Sequence, residues 1–133
     1  MEELLTSGGS AVQATLLVID DDAAMRTILS MTLNSFGYVV LDAADGEEGL
    51  RIARAHPEIR LVVLDVVMAG VSGKELAEQL KIYLPDSSLL FCSGHPASVM
   101  ARFDIDLNSE HFLQKPCRPP ELQRKLTELL SSR

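Results

Sequence analysis

The feature that most constrains the fold is a run of four apolar residues that ends in one carboxylate, at residues 61–65. A continuous run of leucine and valine of this length is typical of a strand buried on both faces of a sheet. A short loop punctuated by glycine follows, over residues 66–73. In an open α/β sheet, ligands bind where the strands end at their carboxyl edge. We therefore expect Asp65 to be held rigidly in a ligand crevice and take it as the candidate reactive residue.

Four further apolar runs alternate with helical patterns along the chain. The predicted strands cover residues 15–19, 38–41, 61–65, 88–92 and 111–114. A predicted helix follows each strand, and the one over residues 97–103 has the weakest pattern. This alternation favours a parallel sheet with helices on both faces, joined by right-handed crossovers.

Capping signals mark the ends of several predicted helices. Asp22 is well placed to cap the first helix, and Gly37 ends it. The predicted apolar positions of that helix are Met25, Ile28, Leu29, Leu33 and Phe36. The second helix is expected over residues 45–55, a capping box at residues 72–75 opens the third, and two prolines at residues 119–120 open the last.

Composition limits the class of protein. The chain has 133 residues, 47% of them apolar, which suits one domain with a real core. Its net charge of −7 argues against a nucleic-acid surface but leaves a basic protein partner open. No apolar segment is long enough to span a membrane, and the start of the chain lacks a signal peptide, so we expect a cytoplasmic location. We expect residues 1–13 to be a flexible extension and residues 14–133 to be the domain.

Polar residues stand at the carboxyl ends of four of the five predicted strands. They are Asp20, Asp21, Asp65, Ser93 and Lys115. Three carboxylates that converge on one crevice repel each other, and a hard divalent cation such as Mg²⁺ would relieve that repulsion. A lysine ammonium and a serine hydroxyl suit the oxygens of a phosphoryl group. Together they predict a phosphoryl-transfer centre in which a carboxylate is the nucleophile.

Four blocks, at residues 16–21, 64–73, 92–94 and 112–116, resemble the receiver domain of two-component response regulators in order and spacing. The resemblance covers about residues 14–131. It implies a flavodoxin-like doubly wound fold, a (βα)5 three-layer sandwich with parallel sheet order 2-1-3-4-5. It also implies a phosphoacceptor module rather than an enzyme, phosphorylated by a histidine kinase or a histidine phosphotransfer protein.

The resemblance also implies roles for individual residues. Asp65 would be the phosphoacceptor, and Mg²⁺ would be bound by Asp21, Asp65 and the backbone carbonyl of Val67, with Asp20 acting through a water. Ser93 and Lys115 would bind the phosphoryl oxygens. Ser93 and Phe112 would then switch the face built by the fourth helix, fifth strand and fifth helix, and this face would bind a downstream protein.

The sequence departs from the usual family pattern in places. Ala69 replaces a proline, and Ser93 replaces the commoner threonine. Phe112 lacks the phenol oxygen of the commoner tyrosine. Val67 offers no polar side chain to orient an attacking water. We therefore expect the phosphoryl group on this protein to last long in comparison with other members of the family.

Two other functions are compatible with parts of the pattern. Residues 20–22 superficially match the nucleophile motif of haloacid-dehalogenase-like phosphatases, in which Asp20 would be phosphorylated. The chain could instead be a pseudo-receiver that only binds partners.

We expect a monomer or weak homodimer. The chain would be a stand-alone receiver or one excised from a longer protein, and its later blocks look like receivers at the ends of hybrid sensor kinases.

Overall fold

The apolar runs form a five-stranded sheet in which every neighbouring pair of strands is parallel. The structure is a computed structural model, and it describes residues 14–65, 67–68, 71–93, 112–114 and 118–131. The strands are β1 (Thr15–Ile19), β2 (Val39–Ala43), β3 (Ile59–Asp65), β4 (Val67–Met68), β5 (Val71–Ser72), β6 (Ser88–Ser93) and β7 (Phe112–Gln114). The helices are α1 (Ala23–Ser35), α2 (Gly46–Ala55), α3 (Gly73–Tyr83) and α4 (Pro119–Ser131). The strands of the main sheet lie in the order β2-β1-β3-β6-β7, which confirms the predicted flavodoxin-like strand order.

Two hydrophobic clusters lie on opposite faces of the sheet because successive strand residues point to opposite sides. One cluster packs Leu17 and Ile19 of β1 with residues of α2 and α3. The other packs Leu16 and Val18 with residues of α1 and α4. The helices therefore cover both faces, which makes the predicted three-layer sandwich.

Strand β3 lies at the centre of the sheet and contributes to both clusters. Leu61 and Val63 face one cluster, and Val62 and Leu64 face the other, each with at most 1% of its surface exposed. The prediction of a strand buried on both faces is confirmed. Burial on both sides holds the end of this strand, and with it Asp65, in a fixed position.

Helix α1 differs from its predicted packing. Leu29 and Leu33 are buried as expected, but Ile28 is 58% exposed. Neighbouring residues on a helix are about 100° apart, so the stripe defined by Leu29 and Leu33 turns Ile28 toward solvent. Met31, on the same exposed side, has 66% of its surface accessible.

Several element boundaries also differ from the sequence-based prediction. Strand β2 continues to Ala43, and β3 begins at Ile59. The predicted loop after Asp65 contains a short antiparallel pair, β4 with β5. Asp45, predicted inside the second helix, is its N-cap. The predicted helix over residues 97–103 lies outside the described residues. No helix in the described part of the chain is long and apolar enough to cross a membrane.

Candidate functional site

Three carboxylates meet at the carboxyl edge of the two central strands. Asp65 ends β3, and Asp20 and Asp21 directly follow β1. The two strands are in register up to the pair of Ile19 and Leu64, which places the acids side by side. One oxygen from each carboxylate lies within 4.8 Å of the other two. The predicted convergence of these acids is confirmed.

Two of the three acids are buried, which makes their charges costly unless something compensates for them. Asp20 is 1% exposed and Asp65 is 7% exposed, whereas Asp21 is open to solvent. Carboxylate oxygens are the ligands that hard divalent cations prefer. Three such oxygens at this spacing, one of them accessible to solvent, make a cluster that could hold a metal ion.

A dense set of hydrogen bonds fixes the turn after β1. The Asp20 amide donates to the carbonyl of Ala43 at 3.2 Å, which joins the turn to the end of β2. The Asp20 carboxylate accepts from the Asp22 amide at 2.9 Å. Asp22 in turn caps α1, since its Oδ1 accepts from the amides of Ala24 and Met25 at 3.0 and 3.1 Å. The predicted capping role of Asp22 is confirmed.

Arg26 contributes a contact that sequence reasoning missed. Its Nη1 atom donates to the backbone carbonyl of Asp20 at 2.8 Å. The signal in the sequence is that Arg26 is the only charged residue in α1 and lies near its N-terminus. A cation is unfavourable at that end of a helix, so its position there calls for another interaction.

The other predicted site residues are placed only in part. Ser93 is the last residue of β6, one position beyond Cys92, which pairs with Asp65. Phe112 begins β7, where it pairs with Phe91. Strand β4 contains Val67. The side chains of Ser93, Phe112 and Val67, and all of Lys115, lie outside what the structure describes.

The order of these elements agrees with a known family. The family sequence model of the response regulator receiver domain matches residues 16–127. This range includes all three acids and every strand of the main sheet from Leu16 onward. This chain belongs to the receiver domain family. Receiver domains are phosphoacceptor modules of two-component signalling and act with histidine kinases and downstream targets, so this is the function class of the chain. The match does not favour a phosphatase or a pseudo-receiver.

Receivers from several kinds of protein resemble this domain. The probable transcriptional regulator ycf27 of Porphyridium aerugineum is 34% identical over 116 residues, or 86% of this chain and 47% of that protein. The sensor kinase CckA of Brucella abortus is 34% identical over 88% of this chain and 12% of its own length. The structure of the chemotaxis protein CheY4 of Vibrio cholerae has a TM-score of 0.77 at 26% identity and covers 89% of this chain and 99% of its own.

The lengths of these relatives differ greatly. The receiver spans about half of the regulator and about one eighth of the sensor kinase, yet it covers nearly all of CheY4. Matching receivers therefore make up very different shares of the chains that contain them.

Proposed function

We propose that Asp65 is the phosphoacceptor of this receiver and that the acidic cluster binds Mg²⁺. The observation that supports this proposal is the approach of three carboxylate oxygens to within 4.8 Å of one another. In the proposed site, Asp21, Asp65 and the backbone carbonyl of Val67 are direct ligands, and Asp20 acts through a water. The set is made of oxygens, as Mg²⁺ requires.

The proposed reaction moves a phosphoryl group from a phosphohistidine to Asp65. A carboxylate oxygen of Asp65 forms a bond to phosphorus while the P–N bond breaks, and the bonding electron pair returns to the imidazole nitrogen. Bound Mg²⁺ would supply charge neutralisation at the phosphoryl oxygens. Lys115 would add an ammonium charge and Ser93 a hydroxyl donor. The rigidity of β3 suits the nucleophile, because in-line attack depends on accurate positioning.

The signal would leave the site through a change of surface. Ser93 would move toward the phosphoryl group, and Phe112 would turn into the space it leaves. The face formed by the predicted helix over residues 97–103, by β7 and by α4 would then bind its target more tightly. A phosphoryl group shifts this equilibrium only by its difference in affinity for the two states. Since Phe112 has no phenol oxygen, its contribution would come from packing.

The proposed partners follow the family. A histidine kinase or phosphotransfer protein would supply the phosphoryl group in the cytoplasm, and a protein target would receive the signal.

We propose that residues 14–133 form the receiver and residues 1–13 an extension. The match to the CckA sensor kinase supports, by analogy, a place within a hybrid kinase. With Val67 unable to orient water through a polar side chain, the phosphoryl group would be long-lived.

Intact mass spectrometry after incubation with acetyl phosphate tests the central proposal. We expect the gain of one phosphoryl group that requires Mg²⁺ and is lost in Asp65→Asn. An adduct that persists in Asp65→Asn but is lost in Asp20→Asn would support the phosphatase alternative. If the folded wild-type protein forms no adduct with acetyl phosphate or with a phosphorylated histidine kinase, the pseudo-receiver alternative would replace the proposal.

A further inference from the structure

Arg26 holds the peptide group that joins the first two acids of the cluster. Its guanidinium donates to the Asp20 carbonyl at 2.8 Å. A peptide unit is planar, so a hydrogen bond to the carbonyl of Asp20 also fixes the orientation of the Asp21 amide and the position of the Asp21 α-carbon. The contact therefore bears on the direction in which the Asp21 side chain leaves the backbone.

Asp21 depends on this peptide more than its neighbours do. Asp20 is buried, and its carboxylate accepts from the Asp22 amide. Asp65 is buried at the end of a central strand. Asp21 is exposed, and no hydrogen bond to its carboxylate occurs among the described residues. The direction of the Asp21 side chain therefore depends on the conformation of its backbone.

Stabilisation of α1 does not explain Arg26. The positive N-terminal end of a helix disfavours a cation in its first turns. Asp22 already satisfies two of the free amides at that end. The half-buried guanidinium instead points back past the cap to Asp20.

We propose that Arg26 is a positioning residue, which aims Asp21 at the metal site through the Asp20–Asp21 peptide. This inference rests on the proposed function, in which the cluster binds Mg²⁺. The fixed positive charge of Arg26 acts in the opposite direction, since it repels a cation. The positioning role predicts that loss of Arg26 weakens cation binding, whereas the charge of Arg26 predicts that its loss strengthens binding. Substitutions that keep or remove the charge separate these two effects.

The experiment measures Mg²⁺ and Mn²⁺ binding to the unphosphorylated protein by isothermal titration calorimetry. Arg26→Gln removes the charge and the fork of donors, while Arg26→Lys keeps the charge but not the planar fork. We expect both variants to bind the cations about tenfold or more weakly, as is typical when a partner behind a metal ligand is lost. The matched controls are Arg124→Gln and Arg124→Lys, since Arg124 is exposed on α4; we expect their affinity to stay within about twofold of the wild type.

A double-mutant cycle tests the route of the effect. If Arg26 acts through Asp21, Arg26→Lys should change Mg²⁺ affinity much less in an Asp21→Asn background than in the wild type. Thermal denaturation without metal shows whether each variant still folds. Since a bound cation raises the unfolding temperature, the variants should also show a smaller rise on addition of Mg²⁺.

The outcomes distinguish this inference from the proposed function. If the wild type binds Mg²⁺ and neither Arg26→Lys nor Arg26→Gln binds it more weakly, the positioning role is wrong and the metal site stands. Tighter binding by Arg26→Gln would also overturn it, because only the charge would matter. Wild-type protein that binds neither cation would overturn the proposed metal site itself.

Discussion

The α-carbon of Gly49 in α2 packs directly on the side chain of Ile19 in β1. A β-carbon at residue 49 would lie 2.5 Å from Ile19 Cδ1 and 3.0 Å from Cγ1. Ile19 is fully buried, so it has little room to move away. Ile19 also immediately precedes Asp20. This helix can approach the strand because residue 49 has no side chain, and the contact lies beside the acidic site.

Gly49→Ala should therefore destabilise the protein despite the better helix propensity of alanine. The propensity gain is about 1 kcal/mol, whereas overpacking a core costs about 1–3 kcal/mol. We expect a net loss, measured as a lower midpoint of urea denaturation. Gly46→Ala is the matched control, since its β-carbon would lie 3.2 Å from a methyl group of Leu76, a less severe approach than at residue 49, and it should cost less stability than Gly49→Ala. Equal effects of the two substitutions would contradict the importance of the contact with Ile19.

Truncations on α1 should separate its buried and exposed faces. Leu33→Ala removes a fully buried side chain and should cost about 2–5 kcal/mol of unfolding free energy. Ile28→Ala acts on a side chain that is 58% exposed and should change the unfolding free energy by about 0.5 kcal/mol or less. Urea denaturation of both variants measures the difference. A similar loss for Ile28→Ala would mean that Ile28 packs inside, as its sequence pattern first indicates.

Loss of the α1 cap should weaken the fold but leave the acidic site in place. Asp22→Ala removes the acceptor of two backbone amides and should cost about 1 kcal/mol. The Asp22 amide would still donate to Asp20, because that contact uses the backbone. Phosphorylation by acetyl phosphate should therefore stay close to the wild-type level. Asp22→Asn keeps an acceptor oxygen and should retain most of the stability; if it loses as much as Asp22→Ala, capping is not the cause.

The pair of His56 and Glu58 should be visible in an acid titration. The side-chain hydrogen bond from His56, at 2.9 Å, is the main cause that holds the pKa of Glu58 below its ordinary value of 4.5. We expect His56→Ala to raise the pKa of Glu58 toward that value, measured by carbon NMR of the carboxyl group. An unchanged pKa in this variant would show that the contact is not maintained in solution.

The lowered pKa of Glu58 determines how the pair of His56 and Glu58 changes stability with pH. A carboxyl with a lowered pKa in the folded state stabilises the fold above its unfolded pKa and loses this contribution as pH falls through the folded pKa. The His56–Glu58 contribution should thus be present above about pH 4.5 and disappear below it. Because the side chains of His56 and Glu58 are 41% and 56% exposed, salt should screen the effect.

Sequence patterns predicted the central part of this fold because strong local signals agree with its tertiary structure. The apolar run of β3 has no polar face, so only a strand between two helical layers suits it. Asp22 lies at the junction of a strand end and an apolar helix, where capping is strongly preferred. The three acids were predicted together because parallel strands end at one edge of a sheet.

The predictions that failed concern features that depend on tertiary contacts, which local sequence patterns do not encode. The orientation of Ile28 is set by how α1 rests on the sheet, and its pattern alone fits either side. Strands β4 and β5 have two residues each, which is too short for any periodicity. The contact of Arg26 with a backbone carbonyl leaves no pattern of residue types beyond an unusual charge near a helix start.

The sheet order has a consequence for how the molecule is divided along its sequence. Strands β2, β1 and β3 are adjacent in the sheet, and all three lie before residue 66. The first half of the chain thus holds every acid of the cluster and is synthesised before β6, β7 and α4 emerge. The second half contributes the edge at which Ser93 and Phe112 lie. Under the proposed switch at Ser93 and Phe112, exchange of the second halves between two receivers would transfer the response of one receiver to the acidic centre of the other.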